Sequence, residues 1–161
     1  FPYFKYVQTQ ATFTGIDLDT EWEIIANKLT LAQKLAYLRA YDLRENNYLV
    51  LIPANRLENG LSWQLGKVFK FDNTYFSLNH LWVDRQRRVP PNSDFMEPPA
   101  AYHLWSIVAG GDLPFSKEQG LQWSMTVQNL FDSSYRDYLN RFRYYAIEQG
   151  RNVSLRLKWS F

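Results

Sequence analysis

The densest concentration of reactive groups in the chain is a column of four carboxylates on alternate residues, Asp17, Asp19, Glu21 and Glu23. On a strand such spacing puts all four on one face, where carboxylates do acid/base chemistry or hold a cation. Neither arrangement is complete, because no nucleophile or histidine lies nearby in sequence, so the column reads as solvated surface. His80 and His103 carry no metal-ligand spacing, and no metal site is expected of them. Serines occur throughout, so a Ser–His hydrolase leaves no distinguishing mark. No Gly-rich phosphate loop or zinc motif is present, and we expect no catalytic residue, cofactor or metal ligand.

The cations and rings are more suggestive. Arg85, Arg87 and Arg88 form a basic cluster in DRQRRVPPNSDFMEPP, whose prolines mark a long exposed loop. Nucleic acid is excluded as their partner, since the formal net charge is only +2 and no stacking ring is interleaved with them. A lipopolysaccharide contact or an anionic-ligand patch fits better, and plain loop solvation better still. A second group, Tyr135, Tyr138, Arg141, Arg143, Tyr144 and Tyr145, alternates rings with guanidinium groups and suits an anionic, partly aromatic ligand such as a ferric chelate. Packing of the loop onto its neighbours by the same rings is the preferred reading of this pattern.

The elements that must carry these groups are strands. From Val153 the odd positions are Val153, Leu155, Leu157, Trp159 and Phe161, against Ser154, Arg156, Lys158 and Ser160. Strict alternation of this kind marks a strand with one apolar and one polar face. The pattern runs up to an aromatic last residue, which suits a membrane barrel with an aromatic girdle. Composition agrees: six Trp, eleven Tyr and eleven Phe make 17% of 161 residues, yet mean hydropathy is −0.41. Rings are therefore interleaved with polar residues, as in a wall wet on one side. No apolar run reaches the roughly 18 residues of a membrane helix. Cysteine is absent, which excludes a disulfide framework.

Taken in order, residues 1 to 9 read as the tail of a loop. Thr12 to Ile24 alternate as a strand, and a tight turn at Asn27-Lys28 would set Glu21 opposite Lys34 and Ile24 opposite Leu31. Residues 29 to 43 have helix-forming composition, but the hairpin register favours a strand. Residues 44 to 60 read as a loop whose middle pairs briefly. A second hairpin, 61 to 71 and 74 to 83 about Asp72-Asn73, would put Leu61, Trp63, Leu65 and Phe69 on the side of Phe76, Leu78, His80 and Trp82, with Lys67 at an interface or bulge. AYHLWSIVAGGDLPF is a strand of undecided face, SKEQG a turn, and 121 to 128 a strand with a polar side. Asp132 to Gln149 is the last long loop. The predicted total is about seven strands, with short turns near 27, 72 and 117 and long excursions near 50, 92 and 140.

Two segments resemble a family. VQNLFDSSYRDYLNRFRYYAIEQGRN resembles the end of TonB-dependent outer-membrane receptors, in which V-x-N-L-F-D-x-x-Y precedes a loop and a closing G-R-N strand. YLVLIPANR is similar to their L-x-x-I-P-x-x-R segment. The resemblance implies an all-β, antiparallel up-and-down transmembrane barrel of about 22 strands. Residues 1 to 161 would be its C-terminal part, since an odd count leaves raw edges in lipid and the sequence has neither an initiating Met nor a signal peptide. The plug domain, through which TonB acts, would lie outside this sequence.

The resemblance further implies a cell outer-membrane location, contacts with lipid and lipopolysaccharide, and energy-coupled import of a ferric siderophore or similar solute. Val153, Leu155, Leu157, Trp159 and Phe161 would be the signal read by the barrel-assembly machinery. Glycan or cobalamin import by the same architecture remains open. So does a soluble carbohydrate-binding β-sandwich, which would seal Ile16, Trp22, Trp123 and Trp159 in a core.

Overall fold

The computed structural model describes residues 8–116 and 119–161. The expected loop tail at residues 1 to 7, and Lys117 and Glu118 of the expected SKEQG turn, lie outside the described residues. Eight strands form one antiparallel sheet: β1 (Ala11–Ile25), β2 (Leu29–Asp42), β3 (Asn47–Tyr48), β4 (Arg56–Val68), β5 (Phe71–Val83), β6 (Tyr102–Pro114), β7 (Gly120–Gln128) and β8 (Asn152–Ser160). The seven long strands lie side by side in chain order, and the two-residue β3 pairs with the end of β2. The helix-forming composition of residues 29 to 43 is overridden by pairing on both sides, with β1 and with β4.

The first hairpin departs from expectation by two residues. Lys34 pairs with Asp19 and Leu31 with Trp22. Three residues turn the chain between Ile25 and Leu29, with Asn27 at φ 57°, and a bulge falls between Glu23 and Ile25. One extra turn residue plus one bulged residue moves the register by two, which leaves every side chain on its expected face.

The second hairpin also turns earlier than expected, at Phe69-Lys70, with Val68 paired to Phe71 and Phe69 at φ 53°. Phe69 thus sits in the turn, 92% exposed, rather than on a strand face. Asp72-Asn73 forms an irregularity in the ladder between β5 and β6 instead. Lys67 falls within the irregular end of β4 and pairs with Asp72 at 3.2 Å. Strand β4 begins at Arg56, five residues before the expected start, because Leu57, Asn59 and Leu61 continue the alternation through polar neighbours.

The registers place side chains on two faces. One cross-strand row reads Trp22, Leu31, Leu61, Leu78, Ile107, Val127 and Val153, and the next reads Leu29, Trp63, Phe76, Ala109, Met125 and Leu155. All six tryptophans, Trp22, Trp63, Trp82, Trp105, Trp123 and Trp159, project on this side. The undecided face of β6 is settled by its neighbour: His103, Trp105, Ile107 and Ala109 lie on the apolar side with Trp82, His80, Leu78 and Phe76. The opposite side carries Asp17, Lys34, Glu58, Ser77, Ser106, Thr126 and Arg156.

The apolar face has no cover. Ile16 is 63% exposed, Trp22 60% and Trp159 57%, and no described large side chain is fully buried. A sealed sandwich core is therefore absent from the described residues. Buried apolar groups are few, Ala40, Ala54, Val83, Val127 and Tyr138, and they lie at one end of the sheet. That end is where the long connections 43–55, 84–101 and 129–151 gather, while the opposite end has only the short turns.

Candidate functional site

The loop end is organised by side chains that satisfy backbone groups. Asn129, buried and at φ 48°, accepts from Ser133 N–H at 2.8 Å and donates to the Ser133 carbonyl at 2.9 Å. Asp132 accepts from the backbone N–H of Arg151 at 2.7 Å. A Cβ on Gly150 would stand 2.6 Å from that same carboxylate, so glycine is the residue that lets the two segments close. The Asn and Asp of VQNLFD and the Gly and Arg of GRN are thus one clasp, which brings the ends of the last loop together.

A second clasp uses YLVLIPANR. Gln86, 2% exposed, donates to the carbonyls of Ile52 and Pro53 at 2.8 and 3.0 Å and accepts from Arg88 N–H at 2.9 Å. Arg88 donates to Asn55 at 2.7 Å and lies 4.9 Å from the Tyr37 ring centre. The third clasp centres on a short 3-10 turn, Arg141–Tyr144, capped by the Asn140 side chain at 2.9 Å from Phe142 N–H. Within it Arg143, 3% exposed, donates to the Tyr138 carbonyl and to Asp94, and Tyr144 O–H donates to Asp94 as well. The Tyr138 and Tyr144 rings flank the guanidinium at 4.6 and 4.7 Å. Leu51 N–H donates to Tyr138 Oη at 3.3 Å, tying in the loop after β2.

The electrostatics follow the packing. Burial alone would raise the Asp94 carboxyl, but the bonds from Tyr144 and Arg143 outweigh it and hold the group below the usual carboxylate range. Burial and the Asp94 bond push the Tyr144 phenol up, and burial with Glu148 and Asp137 nearby does the same to Tyr135.

The predicted ligand residues therefore divide. Arg85 pairs with Glu97 at 2.6 Å, Arg87 with Asp84 at 3.1 Å, and Arg88 and Arg143 are used as described. Tyr135 packs on Tyr102 with ring centres 4.5 Å apart. Tyr138 is buried, and Tyr144 packs edge-on against Phe95. Arg141 and Tyr145 are exposed. One arginine that the spacing argument passed over, Arg136, is half-buried in the same loop, and its side chain makes no hydrogen bond or ion pair among the described residues. Only its place between Tyr135 and Tyr138 in a ring-rich loop signalled it.

The carboxylate column is exposed, and among the described residues only Asp19 pairs, with Lys34 at 2.9 Å. Of the side chains expected to form an assembly signal, Val153, Leu155, Leu157 and Trp159 project from β8 on the apolar face, and Phe161 follows the strand, 97% exposed.

The histidines, unrelated by spacing, are brought together. His80 and His103 approach to 2.9 Å between Nε2 and Nδ1 and belong to a polar row on the apolar face. Gln33 donates to Asn59 at 3.0 Å, and Asn59 Nδ2 lies 3.5 Å from His80 Nδ1. No group of three or more His, Cys, Asp or Glu capable of holding a metal occurs among the described residues.

Comparison with known proteins gives a likeness of structure. No family model matches the chain and no curated protein matches it. Among solved structures, the chain is similar to the copper transporter OprC, with a TM-score of 0.77 and 20% sequence identity. The likeness covers 95% of this chain and 23% of that one, so the chain spans under a quarter of the protein it resembles. At this identity the match shows the fold alone: the sheet is built like part of that protein.

Proposed function

We propose that this chain is the C-terminal part of the wall of an outer-membrane importer, non-enzymatic and driven by TonB through a plug domain. Its solute is a scarce compound bound from outside, a ferric siderophore or a related metal complex. One observation carries the reading: a single sheet presents an uncovered apolar face bearing every tryptophan and an opposite polar face, with long, well-clasped loops at one end only. Water does not tolerate so broad an apolar surface, whereas a bilayer requires it on the outside of a barrel and a wet lumen on the inside. The free edges of β1 and β8 would each expose backbone groups to hydrocarbon at several kcal/mol apiece, which supports pairing with further strands in a barrel of about 22. Transport of a metal by the protein whose fold is shared supports a metal-bearing solute. The loop residues meet lipopolysaccharide and solute at the outer surface, and the alternating face of β8 with Phe161 serves the assembly machinery.

The test is uptake by cells carrying the full-length protein. Accumulation of a radiolabelled ferric siderophore should require both the gene and the inner-membrane proton gradient. Recovery of the full-length protein as a water-soluble monomer without detergent would overturn the reading.

A further inference from the structure

Resting on the import reading, we infer that Arg136 is the docking point for an oxyanion, a carboxylate or phosphate, on the imported solute. Arg136 lines a cavity of about 220 Å³ between the loop after β5 and the loop after β7. The cavity's other walls are mixed, apolar at Met96, Pro99 and Ile147 and polar at Glu97, Tyr102 and Ser134, and Tyr135 stands beside Arg136. Arg136 Nε is sealed from solvent without an acceptor, and its terminal nitrogens bond to no described residue.

None of the neighbouring carboxylates bonds to this guanidinium, because each has other partners. Asp137 accepts from Tyr102 O–H at 2.8 Å through one oxygen and from Leu139 N–H at 2.8 Å through the other. Glu97, on the cavity wall, pairs with Arg85, Asp94 with Arg143, and Glu148 with Asn140. Arg88 and Arg143 each leave Nε unpartnered but bond through their terminal nitrogens, whereas the Arg136 guanidinium bonds to no described residue: it is a fork of donors awaiting an acceptor from outside, and its planar geometry matches a carboxylate or phosphate. The mixed walls suit a compact solute, or one arm of a larger one, that carries both polar and apolar groups.

Calorimetric titration of the full-length protein in detergent micelles with citrate, and separately with inorganic phosphate, tests this. At least one should bind saturably. Arg136→Ala should weaken that binding at least tenfold and Arg136→Lys less, while Arg44→Ala, at an exposed arginine of the loop after β2, should leave it unchanged. The heat-sensitive gel mobility of a folded barrel monitors each variant, and Arg136→Gln provides a second neutral replacement if alanine does not fold. No binding of either oxyanion, or equal binding by wild type and the neutral variants, overturns the assignment. The assay measures no transport, so it can fail while uptake stands. A wild-type protein without barrel-like mobility would sink the import reading instead.

Discussion

Arg143 and Asp94 join two loops across 49 positions of sequence, and both partners are withdrawn from water. Removing one member of a buried pair strands the other, at a cost of about 3–5 kcal/mol. Arg143→Ala or Asp94→Ala should therefore release the segment 84–101 while leaving the sheet paired. Limited proteolysis of membrane-embedded protein should show new cleavage there, and an unchanged digest would deny the pair its anchoring role.

The same pair sets a pH dependence. The Asp94 carboxyl is held below its ordinary value, so its contribution is complete above about pH 4, where the unfolded carboxylate is also charged, and is lost as pH falls through the folded value. Hydrogen exchange at the Arg143 and Tyr145 amides should be flat from pH 7 to about pH 5, after correction for intrinsic rates, and should accelerate only below about pH 4. Asp94→Asn should remove that acid step.

Gly110 lies directly across from Tyr75, and a Cβ there would stand 2.6 Å from the phenol oxygen and 2.7 Å from ring carbons. Gly110→Ala must push a cross-strand ring aside and should cost about 1–3 kcal/mol. Gly120→Ala meets its nearest atom at 3.4 Å and should stay within about 0.5 kcal/mol of wild type. Urea unfolding in lipid vesicles ranks the two, and equal midpoints would contradict the packing.

Leu155 and Ser154 are neighbours in sequence on opposite faces of β8. Arginine in place of Leu155 should cost about 2–4 kcal/mol of folding in vesicles if that position faces the bilayer midplane, whereas Ser154→Arg on the wet side should be nearly neutral. The reverse order would invert the faces.

Phe161 is 97% exposed, so the sheet does not depend on it. Its deletion should leave refolding into vesicles in vitro unchanged while cutting the amount inserted in cells severalfold. Loss in both settings would make the residue structural, and loss in neither would remove the assembly role.

Much of the fold was legible because a period of two survives every small error. Trp159, Leu157 and Leu155 declared their face by alternation alone, and the first hairpin kept its faces although its register moved by two. What was hidden lay in geometry that local sequence does not encode. Phe69-Lys70 has no turn signature, so Asp72-Asn73 attracted the prediction and proved to be a ladder irregularity. In the loops, composition marked a segment rich in rings and guanidinium groups but not which cations were engaged, because Arg143 meets Asp94 and Arg88 meets Asn55 only after three distant segments converge. His80 and His103 became neighbours through the pairing of β5 with β6, which spacing along the chain does not reveal.

The row Gln33, Asn59, His80, His103 has a bearing on how this surface can change over generations. Asn59→Leu alone would widow both the amide before it and the imidazole after it, whereas exchanging the whole set for aliphatics leaves nothing stranded in oil. Drift along the row is thus a concerted affair: its members persist together or vanish together, and solitary survivors should be rare among descendants of this gene.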